Sequence, residues 1–278
     1  MQIFDSFKSS LNQSLDLFLG HKIVIKREDL LHPRVSGNKF RKLKYIFQEI
    51  KEKEVSALLT FGGAFSNHLA ASAYAGMNSG VHMIGIVRGD EWGRKIHESA
   101  TLNYCVSQGM ELHCISRDIY AQKEQAPIVT KLMKKIPGLR IIPEGGTEPL
   151  AVKGCLEILQ SEDLNFDVIC SSVGTGGTIA GLVNSSNDNQ NLIGFNALNN
   201  TEIVHTIEEL TNKKNWSIEN DYTFGGYAKI KPTLISFMND FYQQYRIPLD
   251  PIYTGKMVFG IFDLIKKDKW PWGKKILI

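Results

Sequence analysis

The stretch ALLTFGGAFSNH, residues 57–68, passes from a run of apolar residues through two glycines to Ser66 and Asn67. A continuous apolar run of this length is typical of a strand that is buried on both faces, as in a parallel sheet. Serine and asparagine are typical of a helix N-terminus, because their side chains accept hydrogen bonds from its free N–H groups. The stretch therefore predicts a strand, a turn and a helix, the repeating unit of an α/β fold.

The same alternation of apolar runs and helical patterns continues in both directions along the chain. Strands are predicted at residues 23–26, 57–61, 81–87, 111–115, 140–142, 167–171, 192–196 and 275–278. Helices are predicted at residues 66–79, 98–108, 119–135, 149–160, 178–184, 201–210, 233–245 and 256–267. This βαβα rhythm indicates an α/β fold of mostly parallel sheet, whose ligands bind beyond the carboxyl ends of the strands.

The charge balance and composition exclude several classes of function. The 32 basic side chains against 29 acidic ones give a net charge of only +3, which argues against a nucleic-acid partner. No apolar run is long enough to span a bilayer, and the first ten residues lack the pattern of a signal peptide. We therefore expect a cytoplasmic protein without a membrane partner. The four cysteines form no CxxC pair and the seven histidines no HExxH pattern, so we predict no metal.

Residues 36–45, SGNKFRKLKY, place a lysine at the predicted start of a helix. The helix N-terminus disfavours the protonated form of the Lys39 amine, which would help it act as a nucleophile or base. The alternative is a solvated lysine in a basic first turn. Arg41, Lys42 and Lys44 crowd the same end of the helix, where positive charge is unfavourable. A bound anion would resolve this conflict.

Two further turns between a strand and a helix carry unusual residues. In GGAFSNH, residues 62–68, the glycines allow a ligand close to the backbone, and Ser66 and Asn67 would face it. The alternative is that Ser66 only caps the helix. In SSVGTGGT, residues 171–178, a glycine-rich loop leads into a helix N-terminus, which is typical of a phosphate site. The loop lacks the lysine of an ATP-binding loop, and its glycines alternatively serve only a tight turn.

Taken together, five blocks of sequence resemble one enzyme family in content and in order. They are VIKRED (residues 24–29) continued by SGNKFRKLKY, GGAFSNH (62–68), IPEGG (142–146), GTGGTIAGL (174–182) and LDPIYTGK (249–256). The chain resembles the fold-type II pyridoxal-5′-phosphate (PLP) enzymes, which are tryptophan-synthase-β-like. Within that group it looks most like the family of 1-aminocyclopropane-1-carboxylate (ACC) deaminase and D-cysteine desulfhydrase. The resemblance covers about residues 22–278.

The resemblance implies two open, twisted α/β domains of mostly parallel sheet, with the PLP cleft between them. Residues 1–42 plus 143–278 would form the large PLP-binding domain, and residues 43–142 the small one. It also implies a homodimer that acts on a small-molecule amino acid. A nucleotide-binding α/β module is disfavoured, since the chain lacks GxGxxG after its first strand and the acidic residue that follows it.

The resemblance also implies which residues hold the cofactor. They are Lys39, Lys42, Asn67, Gly174, Thr175, Gly176, Gly177, Thr178 and Thr254. Lys39 is similar to the lysine that forms the Schiff base with PLP. Lys42 looks like a phosphate ligand, with the loop at 174–178 as the main cradle. Asn67 resembles the residue that bonds the hydroxyl of the PLP ring.

Four residues are implied as catalytic. Lys39 would remove the α-proton of the substrate once the substrate amine has displaced it from the cofactor. Ser66 resembles the active-site serine beside the substrate carboxylate. Tyr253 looks like the tyrosine that faces the substrate, and Tyr227 resembles a second active-site tyrosine within a looser match.

The sequence departs from the family pattern at two places. ACC deaminases carry glutamate after the tyrosine, whereas this chain has Thr254, as the desulfhydrase branch does. We therefore expect α,β-elimination from D-cysteine, giving pyruvate, sulfide and ammonia. The alternatives are an ACC deaminase, giving 2-oxobutyrate and ammonia, and a degenerate, non-catalytic protein of this fold. Family members also continue past the last strand into a turn of the type His-[Ser/Thr]-Gly-Gly; it is either missing or lies beyond Ile278.

Overall fold

The computed structural model describes residues 3–4, 9–53 and 55–278. The strands are β1 (Asn12–Ser14), β2 (Lys22–Lys26), β3 (Ala57–Gly63), β4 (His82–Arg88), β5 (Glu111–Ile115), β6 (Leu139–Ile142), β7 (Val168–Val173), β8 (Asn191–Asn196), β9 (Trp216–Glu219) and β10 (Lys275–Leu277). The α-helices are α1 (Asn38–Glu52), α2 (Asn67–Ser79), α3 (Ala100–Ser107), α4 (Arg117–Ala121), α5 (Pro127–Lys135), α6 (Pro149–Cys155), α7 (Gly177–Ser185), α8 (Ile203–Glu208), α9 (Pro232–Tyr245) and α10 (Thr254–Lys266).

These elements form two compact units, each with its own sheet and core. Residues 28–154 belong to the first, which we call unit 1, and residues 10–27 with 155–278 form unit 2. The sheet of unit 1 has four strands in the order β5-β4-β3-β6, and the sheet of unit 2 has six in the order β1-β2-β10-β7-β8-β9. All neighbouring strands are parallel except β1 with β2. The predicted class of two mostly parallel α/β domains is confirmed.

The core of unit 1 follows from the apolar stripe of α1 and the buried strand β3. Six consecutive residues of β3, from Ala57 to Gly62, are buried, as expected of a strand covered on both faces. Helix α1 buries Phe40, Leu43 and Ile46, which recur every three to four residues and pack in the same core as Leu58 of β3.

In unit 2, α10 covers the centre of the sheet. Its residues Val258 and Ile261 pack in one cluster with Cys170 of β7 and Ile193 of β8. Strands β7, β8 and β9 run parallel in register, so that Val173 lies beside Asn196 and Phe195 beside Glu219. The loops that follow these three strands therefore leave the same edge of the sheet.

All eight predicted strands are present, and the helices need two corrections. The single helix predicted at 119–135 is two helices, because Ala126, which precedes Pro127, is extended with φ −58° and ψ 138°. A proline disfavours helical geometry in the residue before it. The helix predicted at 149–160 ends at Cys155. None of the helices among the described residues has the length and apolar character to cross a bilayer.

The boundaries of the two units also differ from those predicted at residues 42/43 and 142/143. Residues 28–42 and 143–154 belong to unit 1. The physical reason lies in the core of that unit, where Val35 and Ala151 are buried together with Leu43. The division into a large PLP-binding domain and a small one stays a prediction.

Candidate active site

The polar residues of unit 1 collect at the carboxyl edge of β3 and β6. Thr60 of β3 lies beside Ile142 of β6 in the parallel register. Just beyond them, the backbone after β3 turns through Gly63 into α2, and the backbone after β6 turns through residues 143–146. This is the edge at which open α/β sheets bind their ligands.

Lys39 lies at this edge, near the start of a helix as the sequence predicts. It is the second residue of α1, and the N-cap Gly37 provides no side-chain cap for that helix. The Lys39 side chain is half-buried, and its Nζ is 3.5 Å from the backbone oxygen of Gly145. The amine is therefore held beside the turn that follows β6.

Lys42 converges on the same carbonyl. Its Nζ donates to Gly145 O at 2.9 Å and to Thr147 Oγ1 at 3.1 Å, and the residue is only 2% exposed. Two ammonium groups from adjacent turns of α1 thus meet at one backbone oxygen. Such a concentration of positive charge at a helix N-terminus favours a bound anion.

Arg41 and Lys44 also lie near this helix end, but their positive charges have partners other than the Gly145 carbonyl. The guanidinium of Arg41 binds the Glu28 carboxylate through two hydrogen bonds, Nε to Oε2 at 2.9 Å and Nη2 to Oε1 at 2.8 Å. Lys44 Nζ lies 5.1 Å from the centre of the Tyr45 ring, a cation–π distance. A carboxylate, rather than a ligand, therefore balances one of the four charges.

Ser66 and Asn67 begin helix α2. The Ser66 hydroxyl accepts a hydrogen bond from Leu69 N at 3.2 Å, so the capping role considered from the sequence is present. A hydroxyl that accepts this bond can still donate its own proton. Asn67 is exposed as the first residue of the helix. The structure thus places both residues at the carboxyl edge of β3.

His68 is a buried polar residue that sequence reasoning did not single out. It is 2% exposed, and an ideal Cβ built on Gly146 would lie 3.0 Å from its Cε1. Burial is the main reason that its pKa lies well below the usual value, and the charges of Lys39 and Lys42 lower it further. The only signal in the sequence is its place beside Asn67, within a run that leads into an apolar helix face.

In unit 2, the glycine-rich loop opens helix α7. Gly176 is the N-cap in left-handed geometry, with φ 82°, and no side chain caps the helix. The first turn of a helix has N–H groups without partners inside the helix. The loop from Gly174 to Thr178 therefore offers backbone donors and a favourable dipole to an anion.

Tyr253 lies against this loop. An ideal Cβ on Gly174 would be 3.2 Å from Tyr253 Cε1 and 3.8 Å from its hydroxyl. The structure thus brings together two features that the sequence separates by almost eighty residues. Only a small residue at position 174 leaves room for the ring.

Thr254, predicted to contact the cofactor, both donates a hydrogen bond to Asp250 and accepts one from it. Its hydroxyl donates to Asp250 Oδ2 at 2.8 Å and accepts from Asp250 N at 2.9 Å. The same carboxylate accepts from the backbone N–H groups of Ile252, Tyr253 and Thr254. Asp250 therefore caps α10 and fixes the threonine hydroxyl. Sequence reasoning gave Asp250 no role, although aspartate before a helix is a recognisable capping signal.

Tyr227 belongs to the loop that follows β9, at the carboxyl edge of the unit 2 sheet. That loop is bound by Lys256 of α10, whose Nζ donates to the backbone oxygens of Thr223 and Gly226. Lys256 is a third residue, after His68 and Asp250, without a predicted role. The signal for it is a single lysine within the otherwise apolar start of a helix, GKMVFGIF at 255–262.

Comparison with known proteins places the chain among relatives of one kind. The profile of the family described as "Pyridoxal-phosphate dependent enzyme" matches residues 10–278. A protein of Pyrococcus furiosus named putative 1-aminocyclopropane-1-carboxylate deaminase is 30% identical, over 95% of this chain and 85% of the relative.

Two further relatives have the same character. A protein of Arabidopsis thaliana named bifunctional D-cysteine desulfhydrase/1-aminocyclopropane-1-carboxylate deaminase, mitochondrial, is 27% identical over 93% of this chain and 71% of the relative. A crystal structure described as an ACC deaminase homologue superposes with a TM-score of 0.81 at 26% identity, covering 98% of this chain and 88% of that one.

Proposed function

Because the chain belongs to the pyridoxal-phosphate-dependent enzymes, in the ACC deaminase and D-cysteine desulfhydrase family of fold type II, we propose that it is a lyase acting on D-cysteine or a close analogue. The proposed products are pyruvate, sulfide and ammonia. Deamination of ACC to 2-oxobutyrate and ammonia is the second candidate, since relatives carry that name. We further propose a homodimer located in the cytoplasm.

The residues of unit 1 fit the aldehyde of PLP. An aldehyde requires an amine that it can reach, and the half-buried Lys39 side chain places its Nζ at the start of α1, 3.5 Å from Gly145 O. Lys42, at the same carbonyl, would add a charge for the phosphate. The buried His68 ring, whose pKa is lowered, is neutral and therefore adds no charge beside these amines. We propose that Lys39 binds PLP covalently.

The residues of unit 2 fit the phosphate. The loop from Gly174 to Thr178 combines a helix N-terminus that lacks a side-chain cap with a left-handed glycine at position 176. Backbone N–H groups in such a loop bind a phosphate without any cationic side chain. We propose that this loop holds the phosphate of PLP, and that Asn67 bonds the ring hydroxyl.

The chain's own residues would carry the proton transfers. When bound, PLP supplies an electron sink at the substrate Cα. Lys39 Nζ is the group of this chain that would take the Cα proton. The Cβ–S bond then breaks and the thiolate leaves with the electron pair, accepting a proton from a phenol, for which Tyr253 and Tyr227 are the candidates. Water replaces nitrogen at Cα, so that cysteine and water give pyruvate, hydrogen sulfide and ammonia.

The hydrogen bonds of Thr254 support D-cysteine, rather than ACC, as the proposed substrate. The hydroxyl proton of Thr254 is committed to Asp250, whose side chain accepts four hydrogen bonds from residues 252–254. Neither group offers a free carboxylate that would stabilise a protonated pyridine nitrogen, so the electron sink would be weak. A thiolate is a good leaving group and departs as the carbanion forms. Opening the cyclopropane of ACC has no such leaving group and needs a stronger sink.

Product analysis tests this proposal. The purified protein, with PLP, is incubated separately with D-cysteine, L-cysteine and ACC, and pyruvate, sulfide and 2-oxobutyrate are measured. We expect pyruvate and sulfide in equal amounts from D-cysteine or its close analogues and little 2-oxobutyrate from ACC. Rapid formation of 2-oxobutyrate would overturn the argument from Thr254. Turnover of none of these compounds would favour the non-catalytic alternative.

A further inference from the structure

Lys256 is a buried ammonium that binds three backbone oxygens from two separate loops. Its Nζ donates to Gly226 O at 2.7 Å, to Thr223 O at 2.8 Å and to Ala197 O at 3.3 Å. The residue is 1% exposed. An ammonium has three protons, so these oxygens, which we call the carbonyl cage, use its whole donor capacity.

The loop that contributes two of these oxygens, those of Thr223 and Gly226, has a strained backbone. Phe224 and Ala228 are not glycines, yet they have φ values of 54° and 55°, in the left-handed region. Between them stand Gly225 and Gly226, with φ values of 99° and 108°. Left-handed backbone costs a non-glycine residue roughly 1–2 kcal/mol, and such geometry persists only where the surroundings enforce it. Tyr227 lies inside this strained segment.

Helix α10 provides that enforcement at two points. Lys256, near its N-terminus, binds the carbonyls of Thr223 and Gly226, and Asp263, two turns later, accepts a hydrogen bond from the Tyr222 hydroxyl at 2.8 Å. The helix therefore holds the loop from Tyr222 to Ala228 at two places. One is its first residue, Tyr222, and the other is the backbone just before Tyr227. The helix position is itself set by the Asp250 cap, four residues before the start of α10.

The third oxygen of the cage links this loop to the next strand of the sheet. Ala197 directly follows β8, and the preceding Asn196 donates to Asn220 Oδ1, which follows β9, at 2.9 Å. One cation therefore ties the ends of two neighbouring strands to the helix that carries Tyr253 at its N-cap. Both tyrosines proposed to face the substrate are fixed to α10.

We propose that Lys256 is a positioning residue, which holds the strained loop and its Tyr227 in the geometry required for turnover by coordinating the carbonyl cage. This inference rests on the proposed function, because Tyr227 matters only if the protein turns over an amino acid. It assigns a role to the charge itself. A side chain of equal length without a cation would fill the space and remove one donor from each of the three carbonyls. Thr223 O and Gly226 O would keep only the hydrogen bonds that they accept from Gly226 N and Lys229 N within the loop.

The test compares Lys256→Met, which keeps the length of the side chain and removes the ammonium, with Lys256→Gln, which supplies two N–H donors. Both are prepared as holoenzyme. We measure backbone amide exchange over residues 222–228, PLP affinity, and kcat and KM for the amino acid that the wild type uses. In the Met variant we expect exchange to rise and kcat to fall, each about tenfold or more, since a displacement of about 1 Å can cost ~100-fold in rate. PLP affinity should stay unchanged, and the Gln variant should be intermediate.

Lys26→Met is the matched control. Among the described residues, Lys26 is the other buried lysine of unit 2. It forms an ion pair, in which its Nζ lies 2.6 Å from Asp163 Oδ2. Its loss should lower stability without changing exchange at 222–228 or kcat. If Lys256→Met matches this control in both readouts, Lys256 is only a stabilising residue and the inference is wrong; Lys256→Gln allows the same judgement should the Met variant not fold.

The failure of the proposed function gives a different result. In that case the wild type would turn over none of the amino acids, while exchange at 222–228 would still depend on Lys256. Such a result would refute the link between the loop and turnover and retain the cage as a structural anchor. Wild-type turnover with normal kcat in both Lys256 variants would refute the inference alone.

Discussion

His68 and Thr60 share a hydrogen bond whose direction is fixed by a third group. His68 Nε2 lies 2.8 Å from Thr60 Oγ1, and the Thr60 hydroxyl donates its single proton to Ile142 O at 2.9 Å. Thr60 must therefore accept from the ring, so that Nε2 carries the proton and Nδ1 carries a lone pair. Among the described residues, this buried Nδ1 has no hydrogen-bond partner.

The first prediction concerns the protonation of His68. Burial, reinforced by the charges of Lys39 and Lys42, lowers its pKa well below the usual value. We expect nitrogen-15 NMR of the protein to show a neutral ring with the proton on Nε2 throughout pH 6 to 8. A proton on Nδ1, or protonation near the ordinary histidine pKa of about 6.5, would contradict the assignment.

The second prediction follows from the same shift. Below pH ~6.5 the unfolded chain binds a proton at His68 that the folded protein does not, so the free energy of unfolding falls as the pH falls. The loss approaches ~1.4 kcal/mol per pH unit until the folded protein also becomes protonated. Urea unfolding of wild type and His68→Gln at pH 5 to 8 should show a shallower slope for the variant. Equal slopes in the two proteins would refute it, and His97→Gln, at an exposed histidine, serves as control.

The pattern of apolar residues was sufficient to predict eight of the ten strands that the structure describes, but not the two edge strands of the larger sheet. Asn12–Ser14 and Trp216–Glu219 are edge strands of three and four residues without any fully buried residue. Periodicity needs more residues and a buried face to be visible. Such strands form because the neighbouring strand offers its open hydrogen-bonding groups, which is information from tertiary structure.

The site divides in a similar way. Lys39 and the loop at 174–178 were predictable, because glycines and a lysine at helix starts have local physical meaning. The roles of Glu28 and Lys256 were not, since each depends on partners brought close by the fold. Glu28 neutralises Arg41 from thirteen residues away, and Lys256 binds oxygens from residues up to 59 positions distant.

The third prediction tests the phosphate loop with a matched pair of glycines. Gly176 and Gly20 have φ values of 82° and 77°, and both lie in unit 2. Alanine at either position should lower the free energy of unfolding by roughly 1–2 kcal/mol, because left-handed geometry is strained for any L-residue. An ideal Cβ on Gly176 also comes within 3.1 Å of Ile207 Cγ1, so its cost should be the larger one.

Only Gly176→Ala should weaken binding of PLP, which is measured by fluorescence titration of the cofactor-free protein. We expect the affinity for PLP to decrease about tenfold or more. The added methyl group would push the loop away from the side chain of Ile207, and this shift would move the N–H groups of the loop away from the phosphate. Gly20→Ala should bind PLP as the wild type does. Equal affinity in the two variants would exclude the loop as the phosphate cradle.

The fourth prediction concerns the pair of Glu28 and Arg41. Arg41 is fully buried and both its Nε and Nη2 bind the carboxylate. Glu28→Ala should lower the free energy of unfolding by about 3 kcal/mol, because it removes the partner of a buried charge. Lys53→Ala, which breaks an exposed pair with Glu49, should cost only about 0.3–0.5 kcal/mol. Similar losses in the two variants would show that the buried pair contributes no more than the surface one.

The central claim is that Lys39 binds the cofactor covalently. Its Nζ lies beside the carbonyl that also receives Lys42, so the two amines are the natural competitors for the aldehyde. Lys39→Ala should lose the visible absorbance band of the bound cofactor, although some PLP stays held through its phosphate. Lys51→Ala, at the exposed end of the same helix, should keep the band.

Reduction of the wild-type protein with borohydride, followed by peptide mapping by mass spectrometry, identifies the attached residue directly. We predict one pyridoxyl phosphate group per chain, on the peptide that contains Lys39, at that side chain. Attachment at Lys42 or Lys44, or the absence of any attached group in a protein saturated with PLP, would contradict it.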